Sequence, residues 1–261
     1  MPTKKKEQEI SVVPIEIPQT KAETKPTKRT APQVVLEAIN LRKEFDVGGR
    51  KIPVINGVNC KFVEGEFVSI MGPSGSGKST LLYLLSGIET LTSGQINILG
   101  KDLSKMKASE LAKMRAHDIS FVFQSYNLIN HFTVYENVIT PLLIGKQKVD
   151  EERVDQILMS VGMYDFKNTT VNVLSGGEQQ RVAIARALVT NPKIIFADEA
   201  TGNLDSKSMV EVMNIFRRIA NQQKITIIQV THSERCAQFS DRVINLLDGR
   251  VRNVASIKKF L

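Results

Sequence analysis

Apolar residues along this chain gather into two kinds of stretch, and their alternation predicts an α/β protein. Short runs rich in Val, Ile and Phe occur at Phe67 to Met71, Ile119 to Phe123, Ile194 to Ala197, Ile225 to Val230 and Val243 to Leu247. They have the composition of strands buried on both faces. Longer mixed stretches, Ser79 to Leu85, Glu151 to Val161, Glu178 to Leu188 and Ser206 to Ala220, are the helix candidates. Ahead of them, Val34 to Phe45 and Val54 to Val63 read as strands on either side of Asp46-Val-Gly-Gly49, whose paired glycines suit a β-turn. Strand and helix in alternation imply an α/β core. Between Gln124 and Ser175 lie helix-like segments and no clear buried strand. No internal repeat is present, so one copy of the fold per chain is expected.

Composition narrows the class. With 261 residues the chain can bury a sizeable core, and 42% hydrophobic with 24% charged residues is ordinary for a globular protein in water. No apolar run approaches the roughly 18 residues needed to span a bilayer, so any membrane work is expected to go through another chain. Cys60 and Cys236 stand alone, without metal or redox spacing, as in a reduced cytosolic protein. The net charge of +8 is concentrated in part in residues 1–33, which carry seven Lys/Arg against four Asp/Glu and five of the nine prolines. That segment lacks the apolar region of an export signal and is expected to be a disordered tail. Its Lys4-Lys5-Lys6 run is a candidate for contact with anionic lipid, a passive tail being the plain alternative. The remainder is mildly basic without a Lys/Arg stripe interleaved with aromatics, so no nucleic-acid face is expected.

Chemistry enters at Gly72-Pro-Ser-Gly-Ser-Gly-Lys-Ser79. This is a phosphate loop, and it stands in the confirming context, after an apolar strand and before a helix-forming run. Ser74, Gly75, Ser76 and Gly77 would turn backbone N–H groups inward onto phosphate oxygens, and Thr80 follows in the first helical turn. Lys78 can reach the β- and γ-phosphates, and the Ser79 hydroxyl can ligate Mg²⁺. Asp198 and Glu199 close the run Ile194 to Ala197, at the carboxyl end of a core strand where such sheets bind ligands. Asp198 is placed to hold Mg²⁺ and Glu199 to polarise an attacking water. Leu174-Ser-Gly-Gly177 precedes another helix-forming run. Ser175 there reads either as a plain helix cap or as part of a second anion site with Gly176 and Gly177.

In order along the chain, the phosphate loop, Phe121-Val-Phe-Gln124, Leu174-Ser-Gly-Gly-Glu-Gln-Gln-Arg181, Ile194-Ile-Phe-Ala-Asp-Glu199, Thr201-Gly-Asn-Leu-Asp205 and Val230-Thr-His232 resemble the motifs of the ATP-binding-cassette (ABC) ATPases, over roughly residues 34 to 252. The resemblance implies a P-loop NTPase core with an N-terminal antiparallel β subdomain and an inserted α-helical subdomain at about 125–175. Residues 253–261 would be a C-terminal tail. It implies ATP hydrolysis with Mg²⁺, with Glu199, His232 and Gln124 as catalytic residues and Ser79, Gln124 and Asp198 around the metal. Phe45 would stack on adenine, a core Phe being the alternative, and Asp205 would belong to a dimer-interface loop. In that family the signature of one subunit completes the ATP site of the other, so a second ATPase subunit is implied. Two positions depart from the family, Glu178 for the usual Gln and Ala200 for the usual Pro. The wording of Thr201 to Asp205 and of Phe121 to Leu128 is similar to the lipoprotein-release, macrolide-export and cell-division branch. Members of that branch act at the cytoplasmic face of the membrane on a separate polytopic permease. Importer ATPases share much of this wording. A soluble ABC ATPase of ribosomes or nucleic acid usually carries two cassettes or a long coiled coil, and a GTPase needs an Asn-Lys-X-Asp motif; the chain shows none of these.

Overall fold

A computed structural model describes residues 33–257. The lysine run and nearly all of the proline-rich segment, with the lipid contact expected of it, lie outside the described residues.

Two sheets share one layer of leucines. β1 (Val34–Val47) pairs antiparallel with β2 (Arg50–Val63) on one edge, and on the other with β4 (Ser93–Ile98), which continues to the short β5 (Lys101–Asp102). The second sheet runs β10 (Arg250–Ser256), β9 (Arg242–Leu247), β3 (Phe67–Met71), β8 (Thr226–Val230), β7 (Ile194–Asp198), β6 (Ile119–Phe123). All neighbours in it are parallel except β10 and β9. Ile194 to Ala197 and Thr226 to Val230 are buried throughout, so they are apolar without alternation apart from Thr226 and Gln229, whose side chains donate to Val63 O and Ser69 Oγ. Leu81, Leu82, Leu84 and Leu85 of α1 (Lys78–Leu85) are fully buried and share one core with Leu36, Ile55 and Phe62 of the first sheet and Ile70, Phe196 and Ile228 of the second.

The opposite face of the parallel sheet is covered by helices. α6 (Ser206–Gln223) buries Met209, Val212, Met213, Phe216 and Ile219, one stripe at helical spacing. Its Phe216 meets Phe67 edge-on at 6.2 Å. α3 (Val134–Ile144), α4 (Glu151–Ser160) and α5 (Gly176–Leu188) extend this second core. Between residues 124 and 175 the described chain contains α3, α4 and two short 3₁₀ turns, with no strand beyond the single bridge Thr133–Thr170. No helix among the described residues is long and apolar enough to cross a membrane.

Several elements had no counterpart in the hydropathy pattern: β4, β5, α2 (Ala108–His117) and α7 (Glu234–Ala237) are short or carry few buried residues. β10 is mostly exposed, and it runs to Ser256, so the tail boundary expected at 252 falls inside a strand. It forms because Asp248 and Gly249, both at positive φ (50° and 69°), make the two-residue turn that suits a twisted hairpin.

Asp241 joins α6 to the sheet: its carboxylate accepts from both terminal nitrogens of Arg217 (2.9 and 2.8 Å) and from the Phe67 N–H (2.9 Å). Asp241→Ala is expected to lower unfolding stability by about 2 kcal/mol, read from urea denaturation, since it removes charge-assisted bonds to a strand N–H and a guanidinium. A midpoint equal to the parent's would mean that water replaces these bonds at no cost.

Candidate functional site

The loop Gly72 to Ser79 leaves β3 at its carboxyl end and runs into α1, so the first N–H groups of the helix face the loop. Gly72 and Gly77 are fixed by close approach. A Cβ on Gly72 would lie 2.1 Å from the Leu246 carbonyl oxygen; one on Gly77, at φ +95°, would lie 2.9 Å from Ile55 Cδ1. Ser74 and Gly75 form the exposed crown of the loop, and Thr80 is half-buried in the first turn of α1. The buried Lys78 folds over the loop and donates from Nζ to the Pro73 carbonyl at 2.9 Å. Ser76 Oγ is buried and has no hydrogen-bond partner. A buried hydroxyl left unpaired beside an ammonium, at the N-terminal end of a helix, is the pattern of an oxyanion cradle. These residues fit a nucleotide phosphate.

Asp198 ends β7 and is gripped by α1. Its Oδ1 accepts from Ser79 Oγ at 3.0 Å, and its Oδ2 from the Tyr83 hydroxyl at 2.7 Å. Burial first, then the bond to Asp198, push the Tyr83 phenol up to about 12, so it remains a donor. Glu199 holds a left-handed backbone (φ 47°), a costly conformation for this residue type. Its backbone groups are tied on both sides, N–H to Val230 O at 3.1 Å and C=O from Gly202 N at 2.9 Å. Its carboxylate stands 3.5 Å from Nδ1 of His232, which is largely exposed at the end of β8. Together with Thr231, Ser206, Arg235 and Cys236 these two residues line a cavity of about 210 Å³.

Gln124 follows β6 and turns toward the segment after Ala200: its Nε2 donates to Asn203 Oδ1 (3.0 Å), and Asn203 Nδ2 to the Gln124 carbonyl (3.3 Å). Asp205 caps α6, accepting from Lys207 N, Ser208 N and Ser208 Oγ. These bonds, that from the Ser208 hydroxyl foremost, hold its carboxyl below the usual range. Phe45 is not a core residue. It is 36% exposed, with Lys43 Nζ 4.7 Å from the ring centroid and itself fixed by Glu89 at 2.7 Å.

Ser175 is the N-cap of α5, and its hydroxyl donates to Glu178 Oε2 at 2.7 Å while its N–H donates to the same oxygen at 2.8 Å. The two bonds hold the Glu178 carboxyl below its usual range. Gly176 abuts the Tyr126 hydroxyl, and Gly177 the side chain of Ser208; a Cβ on either would stand 2.8 and 2.6 Å from those atoms. Further along α5, Arg186 donates from both terminal nitrogens to the carbonyls of Tyr126 (2.7 Å) and Asn127 (2.5 Å), two consecutive residues at positive φ. The site therefore falls into two groups. One is the phosphate loop with Asp198, Glu199 and His232; the other is Ser175 to Gly177 with Asp205. Among the described residues no hydrogen bond or ion pair joins Ser175–Gly177 to the phosphate loop. Tyr83, Arg186 and Lys43 were not singled out by sequence, and Asn203 only within Thr201-Gly-Asn-Leu-Asp205, because each acts through a contact with a distant segment or a side-chain pairing that spacing does not display.

The family described as "ABC transporter" matches residues 55–202. The chain belongs to that family. Its fold is the family's ATP-binding cassette: a solved structure described as a dimeric post-hydrolysis state of the ATP-binding cassette MJ0796 bound to ADP and Pi matches with a TM-score of 0.78 and 39% identity, over 86% of this chain and all of that one. The chain is also similar to a lipoprotein-releasing system ATP-binding protein, LolD 1, of Rhodopseudomonas palustris (40% identity over 83% of this chain and 98% of the relative). A macrolide export ATP-binding/permease protein, MacB, of Bdellovibrio bacteriovorus is 41% identical over 84% of this chain, which spans only 34% of that relative's length.

Proposed function

We propose that this chain is the ATP-hydrolysing subunit of an ABC transporter of the lipoprotein-release and macrolide-export kind. The working cassette, expected over 34–252 and carried on to Ser256 by β10, would have its helical part at about 125–175 and be held peripherally at the cytoplasmic face by a separate polytopic permease. The observation that carries the reading is the separation of the two groups of site residues, the phosphate loop on one side and Ser175 to Gly177 at the N-terminus of α5 on the other, with no bond between them within one chain. A second copy supplies what the first lacks. Lys78, Ser76 and the loop N–H groups bind the phosphates of ATP, and Phe45 offers its ring to the adenine. Ser79, Asp198 and Gln124 would hold Mg²⁺, which neutralises charge on the phosphate oxygens. Glu199 accepts a proton from, or orients, the attacking water, and His232 beside it contacts the γ-phosphate. Ser175 and Gly177 of the second copy close over that phosphate, and Asp205 lies at the contact. Release of the closed dimer after hydrolysis, passed through the helical part, moves the permease.

The test is capture of tagged Glu199→Gln chain with ATP from solubilised native membranes, followed by mass spectrometry. The expected result is a stoichiometric polytopic membrane protein. Ribosomal proteins or nucleic acid in its place would move the assignment to a soluble ABC ATPase, and a permease with a solute-binding partner would move it to an importer. The lipid role of the tail has its own check. Deleting residues 2–30 should reduce binding to vesicles containing anionic lipid, and unchanged binding would leave the tail passive.

A further inference from the structure

Asp198 is held at both oxygens by one face of α1. Ser79 and Tyr83 are four residues apart, and so adjacent on the helix surface. Ser79 donates to Oδ1 (3.0 Å) and Tyr83 to Oδ2 (2.7 Å). A hydroxyl has one proton and two lone pairs. Ser79 can therefore keep its proton on Asp198 while a lone pair faces a cation. The Tyr83 hydroxyl meets the other carboxylate oxygen, so among the described residues two hydrogen bonds, one at each oxygen, fix the rotation of the carboxylate. The tyrosine ring is half-buried, with Leu82 and Leu84 on either side of it in sequence fully buried. The phenol is thus carried on a rigid element rather than a loop.

We infer that Tyr83 is a positioning residue for the metal-dependent step of nucleotide binding, orienting the Asp198 carboxylate toward the cation that Ser79 ligates. The inference rests on the reading of Ser79 and Asp198 as the Mg²⁺ residues. Partners of this kind typically change metal affinity by about 10- to 100-fold when removed, because they set the direction and basicity of the ligand they touch. Tyr83→Phe deletes one oxygen and keeps the ring, so packing of α1 between the two sheets is retained.

The experiment measures binding of Mn²⁺, a paramagnetic stand-in for Mg²⁺, by electron paramagnetic resonance in the presence of a non-hydrolysable ATP analogue. Fluorescence titration of the analogue in EDTA reads metal-free binding. Tyr83→Phe is expected to bind Mn²⁺ at least about tenfold more weakly than the parent, with metal-free analogue affinity unchanged and the melting temperature lowered only by the loss of one hydrogen bond. A merely structural tyrosine would weaken metal-free binding as well. In an Asp198→Asn background the same Tyr83→Phe change should have no further effect on Mn²⁺. Equal Mn²⁺ affinity of Tyr83→Phe and parent, or an undiminished effect in the Asp198→Asn background, overturns the inference. If the parent with analogue binds no Mn²⁺ at all, the metal-site reading itself fails, a separate outcome.

Discussion

Glu199→Gln is expected to hydrolyse ATP about 10³-fold more slowly than the parent, while binding ATP as well and forming a more persistent dimer. The magnitude follows from what a positioned base contributes, on the order of 10²- to 10⁴-fold. The selectivity follows from geometry. Glu199 follows β7 beside Asp198, and its carboxylate stands 3.5 Å from Nδ1 of His232. The loop's own contacts, Lys78 to Pro73 and Ser79 to Asp198, do not involve it. Gln has the shape of Glu and keeps the backbone bonds to Val230 and Gly202, so the left-handed turn survives and only the proton acceptor is lost. Phosphate release would measure the rate, and light scattering after gel filtration with ATP the dimer. A rate within a fewfold of the parent's would remove Glu199 from the chemistry. A variant that stays monomeric with ATP would count against the shared site.

The second large effect is expected at a residue far from the motifs. Gly249→Ala should destabilise the fold by about 3 kcal/mol, the sum of overpacking and a positive φ in a residue with a Cβ. It should also weaken nucleotide binding. The new Cβ would lie 2.2 Å from the Val54 carbonyl oxygen. That oxygen cannot retreat freely, since it also stands 3.0 Å from where a Cβ on Gly77 would be, against the phosphate loop. Gly249 donates its N–H to Ser76 O (3.1 Å) and accepts from Asn56 N (2.8 Å), so it joins the antiparallel sheet, the phosphate loop and the β9–β10 turn. Gly48→Ala is the control: its φ is +61° but nothing lies within 4 Å of the added atom, so only the backbone cost of about 1 kcal/mol applies. Urea denaturation of both variants separates clash from strain. Equal losses would show that the contact with Val54 relaxes at no cost.

What was readable from the chain divides along physical lines. The core strands announce themselves because a segment buried on both faces must be apolar throughout, as at Ile194 to Ala197. The phosphate loop and Asp198-Glu199 announce themselves because their chemistry needs fixed residue types next to such strands. Tyr83 did not, since in Leu81-Leu-Tyr-Leu-Leu85 it looks like one more apolar residue of a buried helix. Gly249 did not either: its constraint is a carbonyl almost two hundred residues earlier, and local sequence shows only a turn. The end of the edge strand β10, residues 253–256, falls in the expected tail for a related reason. Its residues are mostly exposed and polar, and pairing with β9 alone makes them a strand. Phe45 was open between core and surface, and the fold decides for the surface.

The segment after Gln124 meets α5 at two places: Arg186 clamps the Tyr126 and Asn127 carbonyls, and the Tyr126 hydroxyl lies close against Gly176. Those places are ten residues apart on the helix, about 15 Å along its axis. The clamp alone would act as a pivot; the close approach at Gly176 leaves loop and helix little room to swing apart there. On the proposed reading, a push on Tyr126 from the permease would therefore be felt first at the N-terminal end of α5, where Ser175 sits.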